Sequence, residues 1–405
     1  MYLVDSYNDS IANIPGTSIH IYSILMGLAI LVVFFTSWFK MHRRNIPTRT
    51  LEWAVLIIVP VGLIGARLWF VLNNLQSMHN FLDVIAIWKG GIAIEGGVTF
   101  GLIVGLIIFY RASLKYKISM WVYLDCIIPN VLLGQAIGRW GNFFNQEVLG
   151  WNVGHPFAGL PSWINNHLHY PGEDPFGTIG IYRQPLFLYE SIISLFGWVT
   201  LTFIVPKFGF WVSKKPWKVE PEKFQPLWII EPIIKSDYYQ PWKLVKKIHR
   251  YSRWKKTCWN QAYYDFEPEA AMIKDVMIKP LKLNKITPDM NFNTRFILRN
   301  KNFYHKTTHK FTQDATLLNN SYNPNHYRIT ATGTAGALYF AFYGMIRLIL
   351  ELFRDDRDIM KIGNVSTSML VSGLWFILGI TLVIFAQIIA KKKFRKKGWL
   401  YERQY

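Results

Sequence analysis

Seven stretches of this chain approach the length of about 20 residues that a helix needs to cross a bilayer core of about 30 Å. They run near residues 19–39, 51–72, 90–110, 120–137, 185–205, 332–353 and 367–390. The fourth is short and the sixth carries charge. A backbone within lipid must satisfy its own polar groups, so this pattern predicts an all-α polytopic membrane protein of about seven transmembrane helices. The composition agrees, with 51% hydrophobic and 16% aromatic residues.

Charge in the connections sets the expected orientation. Lys40, Arg43, Arg44 and Arg49 follow the first stretch, and Arg111, Lys115 and Lys117 follow the third. The tail after the seventh holds Lys391, Lys392, Lys393, Arg395, Lys396 and Lys397. Seven spans put all three groups on one side, which is then cytoplasmic. The N-terminus, with Asp5 and Asp9 and no basic region or cleavage site of a signal peptide, is expected outside, and the C-terminus inside. The connection after the fourth stretch becomes a small extracytoplasmic region.

Between the fifth and sixth stretches lies a long polar insertion. The expected organisation is a membrane domain over 1–205, a basic cytoplasmic insertion over 206–331, two further spans over 332–390, and a basic tail over 391–405. The insertion holds eighteen lysines and five arginines against five aspartates and five glutamates, a net +13 of the chain's +20. Such a surface suits anionic lipid headgroups, at about 1 kcal/mol per nearby cation. Nucleic acid would draw on the same basic and aromatic composition, but no recognition motif accompanies it, so no nucleic-acid partner is expected. The two cysteines, Cys126 and Cys258, support neither a disulfide framework nor a cysteine zinc site, and no metal or cofactor is expected.

Charge inside the apolar stretches is the second constraint, since such groups are costly there and usually functional. Gly138-Arg139-Trp140-Gly141-Asn142-Phe143-Phe144-Asn145-Gln146-Glu147 follows directly on the fourth stretch. Gly138, Gly141 and Gly150 permit a tight, non-helical backbone around it. In the sixth stretch, Tyr343, Arg347, Glu351 and Arg354 fall within an arc of roughly 80° on an otherwise apolar helix. That stripe faces protein or a water-filled cavity, or else it holds a structural Arg347–Glu351 pair between helices. The second stretch contains Arg67 beside Gly62, Gly65 and Ala66, small residues that suit close helix approach. Glu95 opens the third stretch among glycines, either as a partner for an arginine or as a carboxylate suited to accept a proton. Three arginines approaching one half of the membrane imply an anionic ligand, most economically a lipid phosphate held by guanidinium forks. Tyr22, on the first stretch, is at comparable depth and can supply a hydroxyl.

The Gly138–Glu147 segment resembles the signature of the bacterial prolipoprotein diacylglyceryl transferases. So do Gly65-Ala66-Arg67, Gln184-Pro185-Leu186-Phe187-Leu188-Tyr189-Glu190-Ser191, and the series Tyr343, Gly344, Arg347, Glu351, Phe353, Arg354. The motifs occur in the family's order on the expected spans. The resemblance implies a multi-pass enzyme of the bacterial plasma membrane. It would transfer the diacylglyceryl group of phosphatidylglycerol to the lipobox cysteine in the signal peptide of a prolipoprotein. Family roles map onto Tyr22, Arg139, Asn142, Glu147, Tyr343, Arg347 and Glu351; Arg67 and Arg354 join them as further headgroup ligands. Two positions depart from the family pattern: Glu95 stands where its third-span motif has histidine, and Gln184 where its fifth span opens with histidine. Either Glu95 takes the thiol proton or the positive field of the arginines activates the thiol. The insertion would then dock on anionic lipid or on the secretion machinery. The competing class is a transporter or channel for an anionic solute, for which the internal repeats it predicts are not found.

Overall fold

The structure is a computed structural model, and it describes residues 20–44, 46–75, 80, 85, 93–116, 118–145, 150–153, 155–170, 181–224, 252, 254–255, 258–259, 262, 283–309, 327–354, 361–362 and 365–390. It divides into two compact units. The first comprises Met1–Thr202 with Ala335–Ile380, and the second Phe203–Thr334 with Thr381–Tyr405.

The long apolar helices fall where the apolar stretches predict. Four further helices, Ser162–His167, Val205–Val212, Pro216–Val219 and Phe292–His309, lie beyond them, the last well inside the insertion whose sequence shows no clean helical period. The first helices in chain order are α1 (Ile21–Arg43), α2 (Arg49–Asn73), α3 (Ile94–Tyr116), α4 (Met120–Ile127) and α5 (Val131–Phe144). After a small three-stranded sheet with a short helix, α6 (Ser162–His167), come α7 (Leu186–Val199), α8 (Val205–Val212) and α9 (Pro216–Val219). Then follow α10 (Phe292–His309), α11 (Thr334–Glu351) and α12 (Thr367–Ile384). Among the described residues six runs are long and apolar enough to cross a membrane: Ile21–Arg43, Arg49–Asn73, Gly96–Tyr116, Met120–Phe144, Leu186–Val219 and Thr367–Ala390. The seventh expected helix, α11, is present with 18 residues, but its Arg347 and Glu351 hold it below the hydropathy of those six. Outward-facing Phe35, Leu56, Leu72, Phe196, Leu374 and Ile377 are exposed, as lipid contact requires. The chain is an all-α polytopic membrane protein.

Glycines set how closely the first unit's helices approach. Along α5, Gly134, Gly138 and Gly141 face Val33, Met26 and Tyr22 of α1, an antiparallel stripe with one glycine per turn. A Cβ on Gly141 would lie 2.8 Å from the Tyr22 ring. Gly65 of α2 is closed in the same way by Phe100 of α3, and Gly344 of α11 by the backbone of Phe376 on α12.

Pro129 interrupts the fourth span, and a 3₁₀ turn (Ile128–Asn130) joins α4 to α5. Proline has no N–H to give the carbonyl one turn back, which is that of Asp125. Lys40 Nζ donates to that carbonyl instead, at 2.7 Å. Asn130 Nδ2 donates to the Cys126 carbonyl at 2.8 Å and to Ser37 Oγ at 3.0 Å, while its Oδ1 accepts from Trp198 Nε1 at 3.0 Å. The Asp125 carboxylate accepts from the Gly336 N–H at 2.9 Å, capping the N-terminus of α11 where a helix favours negative charge.

Between α5 and α7, strands β1 (Asn152–Val153), β2 (His169–Tyr170) and β3 (Ile181–Arg183) form an antiparallel sheet in the order β1-β3-β2. Phe143, Ile164, Leu168 and Phe187 make its core, with Trp140, Phe144, Leu160 and Leu188 packed around them. His167 is buried there, with Nε2 2.7 Å from the Phe143 carbonyl. In the second unit, Phe224, Cys258, Trp259, Ala262 and Tyr327 form a separate aromatic core. Burial raises the Cys258 thiol above its ordinary range.

Candidate functional site

The structure corrects one expectation about the signature segment. Residues from Gly138 to Phe144 are not a tight loop; they are the last two turns of α5. Gly141 is there to admit the Tyr22 ring, not to turn the chain, and Gly138 lies within the helix facing Met26. Arg139 and Asn142 are thereby held on a rigid helix rather than on a loop. Glu147 lies outside the described residues.

Three helices bring the charged residues together. Ser191 Oγ on α7 donates to the Ala136 carbonyl on α5 at 2.9 Å, and Leu186 on α7 packs against Ile346 and Leu350 on α11. Within this seam Glu190 of α7 takes both arginines. Its Oε1 lies 2.6 Å from Arg139 Nη2, and its Oε2 lies 3.3 Å from Arg347 Nη1. The side chain of Glu190 is 3% exposed, while Arg139 and Arg347 keep 16% and 17%. One carboxylate against two guanidinium groups leaves a net positive charge, and the open part of the cluster is cationic. A ligand reaching this site meets the arginines.

Gln135, one turn before Arg139, donates from Nε2 to Tyr339 Oη at 2.9 Å. Tyr339 stacks on Tyr343, with ring centroids 6.0 Å apart and planes within 1°. The Tyr343–Arg347 stripe of α11 thus faces α5 and α7, as its arc predicts. The ion pairs of the stripe differ from the i, i+4 pair considered above. Arg347 reaches across to Glu190, and Glu351 turns to Ser366 Oγ at 2.6 Å and to Arg354 at 3.8 Å. Arg354 lies beyond the end of α11 and bridges Gly150, and its carbonyl accepts from Trp151 Nε1 at 3.0 Å. The two motifs at residues 138–150 and 343–354 are therefore joined by backbone as well as by charge.

Tyr22 joins this site through its ring against Gly141. Arg67 is buried on α2 with its guanidinium 5.5 Å from the centre of the Phe70 ring. The Ala93 N–H donates to the Ala66 carbonyl at 3.1 Å, which sets the start of α3 beside the turn that carries Arg67. Glu95 is the second residue of α3; its side chain lies outside the described residues.

Glu190 is the residue that sequence reasoning left without a role. Its signal was present, a lone carboxylate five residues into the apolar helix Leu186–Val199. The argument applied to the arginines, that charge at such depth is retained for a purpose, applies to it equally.

A family model described as prolipoprotein diacylglyceryl transferase matches residues 9–219 and 287–385. The unmatched stretch, 220–286, is shorter than the insertion read from composition. A protein of Halalkalibacterium halodurans named phosphatidylglycerol–prolipoprotein diacylglyceryl transferase is 36% identical over 191 residues, 46% of this chain and 62% of that protein. One of the same name from Streptococcus pneumoniae is 36% identical over 179 residues, 44% of this chain and 63% of its own. The matched region thus spans somewhat less than two thirds of these relatives. The family model covers most of the chain, and the chain belongs to the prolipoprotein diacylglyceryl transferase family.

Proposed function

We propose that this protein transfers the diacylglyceryl group of phosphatidylglycerol to the lipobox cysteine of a prolipoprotein, the first step of lipoprotein maturation. The observation that carries this reading is the Arg139–Glu190–Arg347 cluster, two partly open cations fixed by one sealed carboxylate within an apolar bundle. Family membership and the names of the relatives support it.

In the reaction the cysteine sulfur attacks the glycerol carbon that bears the phosphate. The S–C bond forms, the C–O bond to phosphate breaks, and the electron pair leaves on the phosphate oxygen, releasing glycerol phosphate. Negative charge grows on the departing phosphate. Arg139 and Arg347 stabilise it in a water-poor site, where removing one such donor typically costs about 10²–10³ in rate. Glu190 holds both guanidinium groups in place before the substrate arrives, so little reorganisation is left for the reaction. Tyr22 acts with the arginines as a hydroxyl donor, Asn142 and Tyr343 bind the headgroup or the peptide, and Arg67, Glu147, Glu351 and Arg354 complete the binding region. The thiol proton must also go somewhere, because a free thiol of pKa about 8.5 is mostly protonated at neutral pH. Glu95 is the proposed acceptor, with the positive field of the arginines as the alternative activator. The basic insertion, on the cytoplasmic side in this reading, associates with anionic lipid headgroups.

The test supplies purified protein with phosphatidylglycerol and a lipobox peptide and measures peptide mass. A diacylglyceryl adduct on cysteine is expected, and Arg139→Ala should abolish it while the protein remains inserted. Absence of the adduct under conditions in which a family member forms it would overturn the assignment.

A further inference from the structure

Helix α10 (Phe292–His309) is polar and basic along its length, with no acidic residue, and yet it turns apolar side chains outward. Phe292 is 72% exposed, Phe296 58% and Ile297 62%. At about 100° per residue these three, Asn293 and Asn300 occupy one arc of about 140°. Arg299 and Lys301, both exposed, bracket that arc on its two sides. The opposite face is the packed one. Arg295, Leu298 and Asn302 are partly buried there, and Asn302 exchanges hydrogen bonds with Asn284 at 2.9 Å in each direction. Leu283 and Ile286, on the segment so fastened, are also exposed. The helix is therefore held by its polar side and presents an aromatic face flanked by cations.

Water is a poor partner for that face, and an acidic protein surface would meet the cations but leave the phenylalanines unfilled. A bilayer surface with anionic headgroups accepts both, with aromatic and aliphatic groups below the phosphates and arginine and lysine reaching up to them. The chain supplies such a surface, since the segment containing α10 follows on the membrane-crossing run Leu186–Val219 and leads into α11. We propose that α10 lies in the plane of an anionic leaflet, with Phe292, Phe296 and Ile297 among the acyl chains and Arg299 and Lys301 on lipid phosphates. This deepens, and rests on, the reading that the basic insertion associates with anionic lipid.

The test uses the full-length protein in nanodiscs with a nitroxide on Asn300→Cys, a position within the exposed arc that replaces none of the anchors. Cys126 and Cys258 are buried, and unsubstituted protein put through the same labelling gives the background. Collision rates with oxygen and with a water-soluble nickel chelate are compared in phosphatidylcholine alone and with about 30 mol% phosphatidylglycerol. The expected result is an oxygen-to-nickel ratio about fivefold higher in the anionic discs, as for a group below the headgroups. The difference should vanish in Phe292→Ser/Phe296→Ser. Reduced nickel access without a gain for oxygen, reversed by salt, would overturn insertion of α10 while leaving electrostatic association of the insertion intact. Equal ratios in both discs would overturn both readings. Protection by added RNA but not by lipid would assign the face to nucleic acid instead and overturn the proposal.

Discussion

The first unit buries two charged clusters, and they are built on opposite plans. Around Pro129, Lys40, Asp125, Asn130 and Ser37 hydrogen-bond to helix carbonyls, to each other and to the N-terminus of α11. Arg44, also buried there, donates to Cys126 Sγ at 3.4 Å. Every named bond in that network repairs a break in the helix ladder or ties one helix to another. The Glu190 cluster repairs nothing in the backbone. It fixes two guanidinium groups and leaves part of each open. Both clusters meet a desolvation cost, but the first offsets it through helix backbone and the second through a carboxylate shared by two cations. What separates the site from the fastening is the partner of the charge, helix backbone in one and another charged side chain in the other.

That distinction can be broken by exchanging the phenotypes. Asp125→Ala should cost about 1–3 kcal/mol, because it uncaps α11 and leaves the buried Gly336 N–H without its acceptor. The protein should melt earlier in detergent, while transfer per folded molecule, read from adduct mass, stays near the parent value. Arg347→Ala should do the reverse, with transfer falling about 10²–10³-fold and only a modest change in melting. If Asp125→Ala instead removed activity from folded protein, the network around Pro129 would belong to the site.

Glu190→Gln sharpens the same comparison on a smaller scale. It keeps the shape and a hydrogen bond but removes the charge between the arginines, a loss of about 1.5–3 kcal/mol for charged hydrogen bonds. The expected outcome is a drop of about tenfold or more in kcat/KM, carried by misplaced arginines. Unchanged kinetics would reduce Glu190 to a neutraliser.

Much of this was legible in the chain. The apolar runs located the helices, and the arc from Tyr343 to Glu351 correctly oriented α11 toward protein. What local sequence could not provide was the partner. The i, i+4 geometry suggested Glu351 for Arg347, whereas Glu190 lies 157 residues away and becomes a neighbour only when α7 packs on α11. Glycine is ambiguous for a similar reason. It marks a turn or a close approach, and only the presence of Tyr22 opposite Gly141 decides between them. Gly141→Ala should therefore cost about 1–3 kcal/mol through overpacking. Gly27→Ala, with open space around it, should be neutral or stabilising. Matched melting curves of the two variants check this directly.

The smallest expected effect belongs to His167, in the small sheet region between the spans. Desolvation pulls its pKa below the ordinary histidine value, partly offset by its hydrogen bond to the Phe143 carbonyl. The unfolded chain then binds the proton more readily than the folded one. Stability is complete above about pH 6.5 and declines as pH falls through that value toward the lower folded pKa. Melting at pH 7.5 and 5.5 should differ slightly in the parent and less in His167→Gln, which keeps a donor for Phe143 without a titrating ring.

The hydrogen bond from Gly336 to Asp125 has a geometric consequence for the distant end of its helix. Gly336 and Arg347 are eleven residues apart on α11, which at 1.5 Å per residue is about 17 Å. Anchoring the first turn to a carboxylate on α4 stops the helix sliding along its own axis, so the cap works as the zero mark of a ruler. The height at which Arg347 meets Glu190 is then read off from the number of residues between them. Inserting a single residue in that interval would rotate the arginine by about 100° and lift it by about 1.5 Å, taking it off the carboxylate without touching either end.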